Sequence, residues 1–491
     1  MINLATLLDT CRVHQVTVSA KEINRTYDFA VFAYSDLKRR TGEPLIHHPL
    51  AVAHTLASWR QPQAVIQAAL LHETIEDSFV TVADIQKEFG QEIAVLVDAV
   101  TRVGSVKLRG STDEVFIENL RKMFVAMSQD IRVVLIRLAD RLDNLKTLSA
   151  LPKPKAARIA RESLEIYAPL AERLGMGAVK GELEDMAFAV AYPDKYRWVE
   201  EMSKRPLAQA NHYAEKAIKT LQTQLADNNI KAHVHGRSKH FYSLYTKLHR
   251  PEIDKDITKI HDLLALRVIT DSVKNCYAAL GVIHQTWKPA PHLGISDYIA
   301  QPKPNGYQSI HTRVFGPHGG IIEVQVRTED MHHQAEYGLA AHWSYSEAKT
   351  KGVSGGTLEN GITVPKKLLW VRQLIDWQAE VGDSQEYLKS VALDALQHRI
   401  YVFSPKGDVF DLPAGATPID YAYAVHTDLI KFIRGVKVNG KSVPLSHQLK
   451  SGDMVEIGKA KHQRLPSRDW LSFVKTSKAR LKIHQALKGQ N

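Results

Sequence analysis

Cysteine is almost missing from this sequence: Cys11 and Cys276 are the only two, and they lie far apart. That excludes a disulfide framework and a cysteine-built zinc site, and it fits a reducing compartment. No stretch reaches the ~18 consecutive apolar residues of a membrane-spanning helix, so no membrane partner is expected. The opening MINLATLLDTCRVHQ has neither a basic n-region nor a small-residue cleavage site. No signal peptide is read there, and a cytoplasmic location is the expectation. Internal repeats and long low-complexity tracts are absent too, which sets repeat architectures aside.

What is present is a chain of 491 residues, enough for about three domains. Its net charge of +11 points to polyanionic partners, nucleotides or RNA, wherever the basic residues coincide with a site. AVIQAALLHETIED, EIAVLVDAVTRVG and IRVVLIRLADRLDNLKTL repeat apolar residues at three- and four-residue spacing, so residues 1–195 read as all helix. From about Ile230 the pattern turns to short β-rich runs with helical pieces, a mixed α/β region over 196–345. GVSGGTLENG, with four glycines in ten residues, marks a connector within 346–396. A third unit of short strands around one helix covers 397–459. That helix opens at ATPIDYAYAVHT, with Thr417 as N-cap, Pro418 at the first helical position and Asp420 in the first turn. A basic helical segment follows over 460–491.

On one helix, His72, Glu73, Glu76 and Asp77 of LLHETIED fall within an arc of ~140°. Three acids and a histidine on one face are costly to bury without a cation. IRVVLIRLADRLDNLKTL puts Asp140 and Asn144 one turn apart, and His48, just before Pro49, sits near a helix N-terminus. Two histidines with carboxylates suit a borderline-hard ion such as Mn²⁺, which could lower the pKa of a water and direct it at phosphorus. The competing reading is a solvated acidic face, with Asp140 paired to Arg137 or Arg141.

In GRSKHFYSLYTKL, Arg237, Lys239 and Lys247 cluster with Ser243 where a strand turns into a helix, an arrangement suited to polyphosphate. In GGIIEVQVRT, alternation puts Glu323, Gln325 and Arg327 on one face and Ile322, Val324 and Val326 on the other. The polar face is either a solvent-facing edge or the floor of a cleft. Asp262, ahead of a second apolar strand that could lie alongside, tilts the balance: two carboxylates on adjacent strands can hold Mg²⁺ against a triphosphate. Between these strands, DYIAQPKPNGYQSIHT supplies Lys303, Asn305, Tyr307 and His311, which suit a purine nucleotide. An isolated tyrosine is also common as a core or turn residue.

GEPLIHHP, LLHETIED and RLADRLDNLKTL resemble successive motifs of the HD phosphohydrolase domain of RelA/SpoT homologues, the long-form alarmone enzymes. The resemblance implies hydrolysis of (p)ppGpp with Mn²⁺ held by His48, His72, Glu73 and Asp140. It gives Glu76 and Asp77 to the attacking water, and Asn144 and Arg39 to the nucleotide pocket. Two residues depart from the pattern: Glu73 stands for an aspartate, and Asp143 for a histidine. Glutamate is longer by one C–C bond, ~1.5 Å, while metal–oxygen bonds of ~2.0–2.2 Å tolerate little error. The alternative is therefore a synthetase whose HD domain is only regulatory.

The α/β segments resemble the family's nucleotidyltransferase-like synthetase domain, which implies pyrophosphate transfer from ATP to the 3′-hydroxyl of GTP or GDP. Arg237, Lys239, Ser243 and Lys247 would then bind ATP, and Asp262 and Glu323 would hold Mg²⁺, with Glu323 also placed to take a proton. Tyr307 would stack on guanine while Lys303, Asn305, His311 and Gln325 position the acceptor. VFSPKGDVFDLPAGATPIDYAYAVHTDLI resembles the TGS domain, a β-grasp fold, with His426 matching a tRNA-contacting histidine; DLIKFIRG departs from the pattern there. Residues Lys459 to Lys488 hold nine Lys/Arg against one Asp. That is either a ribosome- or tRNA-facing surface or the solvated face of an amphipathic helix. A third reading of the whole chain is a ribosome- or tRNA-binding sensor without turnover.

Overall fold

Apolar residues three and four apart do drive the amino-terminal region into helices. The computed structural model describes residues 2–104, 123, 126, 129–251, 253–260, 263–291, 294–303, 305–317, 319–338, 340–341, 399–426, 432–460 and 466–488. Among them the chain divides into two compact units. The first holds the helical and α/β regions together; the second holds the carboxy-terminal strands and helices. The whole connector at 346–396, and Asp262, lie outside the described residues. No described helix is long and apolar enough to cross a membrane.

In the helical region, His47–Ser58, Gln63–Leu71 and Ile131–Lys146 carry the motif residues. Val52, Ala53, Leu56, Ile66, Leu70, Leu135 and Leu138 are fully buried, so the helices are held by their apolar faces. One expectation changes: LLHETIED is not a continuous helix. It ends at Leu71, turns through His72 and Glu73, and resumes only for Thr74–Asp77. At the break, side chains meet the carbonyls of the last helical turn. His72 Nδ1 donates to Ala69 O at 2.8 Å, and Thr74 Oγ1 donates to Leu71 O at 2.6 Å, acceptors that a continuing helix would use. The break leaves His72 buried and Glu76 and Asp77 exposed.

A 35-residue helix, Pro193–Asp227, leads into the α/β region and runs through Pro206. Five strands follow: β1 (Ala232–Ser238), β2 (Leu264–Thr270), β3 (Ser296–Asp297), β4 (Ile310–Phe315) and β5 (Ile321–Thr328), in sheet order β1-β2-β5-β4-β3. β2 and β5 are parallel, with Ala265 opposite Glu323; the other pairs are antiparallel. β5 is therefore central, and its polar face is no solvent edge. Val324 and Val326 enter the core with Leu266, Val268 and Ile310, and Ile322 packs against it. Glycines close the seam to the helical region. A Cβ on Gly338 (φ +52°) would sit 2.1 Å from Leu174 O, and one on Gly181 would sit 2.2 Å from the His240 ring.

In the second unit, the hairpin β6 (Arg399–Phe403)–β7 (Val409–Pro413) and the sheet β10-β8-β9 (Val455–Lys459, Ile433–Val438, Lys441–Val443) enclose the helix Pro418–Val425. That helix starts as its sequence predicts, with a capping box between Thr417 and Asp420. Asp420 does more. Its buried carboxylate also accepts from the Thr476 backbone N–H at 2.7 Å, from Thr476 Oγ1 at 2.8 Å and from the Lys475 N–H at 3.0 Å. It thereby fastens Ser477–Lys488, whose Ala479 and Ile483 pack with Val474 on Ile419, Ala422 and Tyr423. His426 is exposed at the end of the capped helix, and residues 427–431 of the departing run lie outside the described residues.

Candidate functional sites

The helical site converges on His48. Its Nε2 lies 3.3 Å from Asp140 Oδ1 and 3.6 Å from Glu73 Oε1. His48, His72 and Asp140 offer ligand atoms all within 4.8 Å of one another. His48 Nε2, His72 Nε2 and Glu73 Oε2 are buried yet find no hydrogen-bond partner among the described residues. Converging buried atoms with no partner of their own leave a position that a divalent cation can fill. Glu73 stands beside the trio rather than inside it.

Asp140 divides its two oxygens between the readings open at the sequence level. Oδ2 takes Arg137 Nη1 at 2.7 Å, while Oδ1 faces His48 and also accepts from Asn144 Nδ2. Burial opposes its charge, but Arg137 and His48 outweigh that and hold its pKa well below the usual carboxylate range. Burial likewise opposes the charge on His48, yet Asp140, Asp143 and Glu73 push it up to about 9. Burial takes His72 down to about 4 and raises Glu73 to about 7. Arg39 bonds Asp143 Oδ2 at 2.9 Å and Asn144 Oδ1 at 3.1 Å, so the expected nucleotide-pocket residues do meet. Glu76 and Asp77 lie on the outer side of the turn; burial raises Glu76 against the opposing pull of Arg137.

The α/β site lies on the polar face of β4 and β5. Tyr307 OH bonds His311 Nε2 at 2.8 Å, and His311 Nδ1 points at Glu323 Oε1, 3.4 Å away. A carboxylate can only accept, so Nδ1 carries the proton and Nε2 accepts from the tyrosine. Glu323 also accepts from Gln325 Nε2 at 3.0 Å and Arg313 Nη2 at 3.1 Å. Burial resists, but His311, Gln325 and Arg313 prevail and hold Glu323 far below the normal range. That makes it a firm anion and a weak proton acceptor. Lys303 Nζ sits 4.5 Å from the Tyr298 ring centre and 5.1 Å from that of Tyr307, and burial lowers its pKa. Gln325 Oε1 is buried without a partner among the described residues.

Beside this cluster is a cavity of about 220 Å³. Arg237, Ser243, Asn305 and Tyr307 line it; Lys239 and Lys247 are not on its wall. Of the remaining lining, Arg327 was placed by alternation on the polar face with Glu323 and Gln325, whereas Arg267, Glu336, Lys180 and Glu184 were missed at the sequence level. Arg267 Nη1 and Arg327 Nη2 each lie 2.9 Å from Glu336 Oε1, a buried two-to-one cluster with net positive charge. Arginine inside the otherwise apolar LALRVIT was the available signal. Lys180 and Glu184 come from the helical region; Ser243 Oγ donates to Glu184 at 3.2 Å, and His240 Nδ1 lies 2.6 Å from Asp185.

Three family models match the chain: an HD domain over residues 26–177, a region found in RelA / SpoT proteins over 236–350, and a TGS domain over 400–459. A GTP pyrophosphokinase of Streptomyces coelicolor is 44% identical over 475 residues, covering 95% of this chain and 55% of the relative. A guanosine-3′,5′-bis(diphosphate) 3′-pyrophosphohydrolase of Vibrio cholerae is 43% identical over 482 residues, covering 98% and 67%. The bifunctional (p)ppGpp synthase/hydrolase SpoT of Escherichia coli is 44% identical over 468 residues, covering 95% and 65%. The chain thus spans between 55% and 67% of the length of these relatives.

Proposed function

This chain belongs to the RelA/SpoT family, and on that premise we propose that it both makes and degrades (p)ppGpp. The making half transfers pyrophosphate from ATP to the 3′-hydroxyl of GTP or GDP. The oxygen of that hydroxyl bonds to the β-phosphorus and its proton is released to solvent, while the bond to the α,β-bridging oxygen breaks and AMP leaves. The observation that carries it is the joined face of Tyr307, His311, Gln325 and Glu323 beside an arginine-lined cavity. Arg237 and Ser243 would take the ATP phosphates with Lys239 and Lys247, and Tyr307, Lys303, Asn305, His311 and Gln325 the guanine nucleotide. Asp262 and Glu323 would hold Mg²⁺, which when bound spreads the charge of the transferring phosphates. Glu323, ionised at neutral pH, orients the acceptor hydroxyl by accepting its hydrogen bond. Incubation with ATP and GDP should yield AMP and guanosine tetraphosphate in equal amounts; absence of both refutes the reading.

The degrading half removes the 3′ pyrophosphate at the helical site. The donor set of two imidazoles and carboxylates suits Mn²⁺ held by His48, His72, Asp140 and Glu73. When bound, the ion supplies a more acidic water. Glu76 and Asp77 would receive a proton from that water, and Arg39 and Asn144 would hold the nucleotide. A second reading, synthesis only, draws on the place of Glu73 outside the 4.8 Å trio. Pyrophosphate release from guanosine tetraphosphate, with Mn²⁺ and with chelator, separates the two. Through its TGS domain, the exposed His426 and the basic helix Ser477–Lys488, the cytoplasmic protein would meet tRNA on the ribosome; salt-sensitive binding of deacylated tRNA tests this.

A further inference from the structure

The two departures from the family pattern, Glu73 and Asp143, flank one imidazole. Glu73 Oε1 lies 3.6 Å from His48 Nε2, and Asp143 Oδ2 lies 2.7 Å from His48 Nδ1. His48 and Asp143 are 1% and 7% exposed, so water does not compete for this contact. We propose that Asp143 is the positioning residue of the helical metal site: it holds the Nδ1–H of His48 and so aims the Nε2 lone pair at the ion. The inference rests on the reading of His48, His72 and Asp140 as metal ligands.

An imidazole has two nitrogens and binds a metal through one only when the other keeps its proton. Nδ1 faces a carboxylate that can only accept, which fixes the proton there and leaves Nε2 for the cation. The ring cannot flip without turning Nδ1 away from Asp143. It would also place a carbon against a buried carboxylate that has no water to turn to. The same Oδ2 accepts from Arg39 Nη1 at 2.9 Å, a second contact that holds the aspartate in place. Asp143 thus links a nucleotide-pocket residue to a metal ligand through one oxygen atom, a connection the histidine of the family pattern could not make in this form. The rival explanation is that Asp143 serves only as a counter-charge for Arg39 and for Lys146, whose Nζ is 4.0 Å from Oδ1.

Calorimetric titration of the full chain with Mn²⁺ distinguishes these. Asp143→Ala is expected to weaken binding by about 10- to 100-fold. Asp143→Asn keeps one acceptor oxygen for Nδ1–H while losing the charge, and is expected to stay within about threefold of the parent, in keeping with a role as acceptor. Pyrophosphate transfer from ATP, read on the same preparations, reports that the α/β region remains folded. Unchanged Mn²⁺ affinity in Asp143→Ala overturns the inference, as does an Asp143→Asn variant as weak as the alanine. If the parent chain itself fails to bind Mn²⁺, the metal-site reading fails instead.

Discussion

The helical site is built from acceptors, and the cavity of the α/β site mainly from donors. Around His48 stand Asp140, Asp143 and Glu73, and His48 Nε2, His72 Nε2 and Glu73 Oε2 lack hydrogen-bond partners among the described residues. Around Glu336 stand Arg267 and Arg327, with Arg237 on the same wall. On the proposed reading, a polyphosphate would meet the first through a cation and the second through guanidinium groups directly. One unit can therefore hold both sites without their attracting the same ligand in the same way.

The sharpest way to break this contrast is a pair of single substitutions. Glu323→Gln should cut pyrophosphate transfer by about 10²–10³-fold and leave pyrophosphate release from guanosine tetraphosphate intact, as product assays would show. Asp140→Asn should do the reverse. Equal loss of both activities in either variant would mean that the sites do not act separately. Next in size is the seam between the two regions. Gly338→Ala sets a Cβ against the Leu174 carbonyl in a backbone conformation that glycine favours. A loss of about 1–3 kcal/mol in denaturant unfolding is expected. A variant as stable as the parent would show the seam to be looser than its geometry.

Glu73 sharpens the comparison further. Glu73→Asp should alter Mn²⁺ affinity by less than about tenfold, whereas Glu73→Gln should lose about 10- to 100-fold by calorimetry. If Gln binds as well as Glu, the side chain is no ligand and synthesis alone becomes the better reading.

The smallest effect is on pH dependence. Burial, with Arg60 and His14 nearby, lowers His333 to about 4, against the opposing pull of Asp330. Its pKa in the unfolded chain is near 6.5, so the unfolded state binds the extra proton first as pH falls. Stability from this group is complete above about 6.5 and is lost between 6.5 and 4. His332, lowered to about 4 chiefly by burial and by Arg327, acts in the same sense. Melting temperatures should fall across that window, and His333→Gln should flatten the slope.

Much of this was legible in the sequence because it follows from periodicity. Three- and four-residue spacing located the helices, and alternation in GGIIEVQVRT put Glu323 and Gln325 on one face and the valines in the core. The capping residues Thr417, Pro418 and Asp420 set a helix start correctly because a cap is a local matter. The break at His72 was not legible: apolar spacing runs on through LLHETIED, and the side-chain bonds to Ala69 O and Leu71 O at the break are not revealed by composition. Nor was the Arg267–Glu336–Arg327 cluster, which requires the parallel register of β2 and β5 together with the helix Glu329–Tyr337. Asp143 was visible only as a departure from a pattern; its partner His48 lies 95 residues away. The helix through Pro206 likewise defies the local rule that proline ends helices.

Asp420 has a consequence for timescale. The amide protons of Lys475 and Thr476 are bound to the same carboxylate that caps Pro418–Val425. They can exchange with solvent only when Asp420 releases them, so the basic helix and the start of the capped helix should open as one cooperative element. A peripheral helix that would otherwise fray on its own keeps the slow clock of a domain interior.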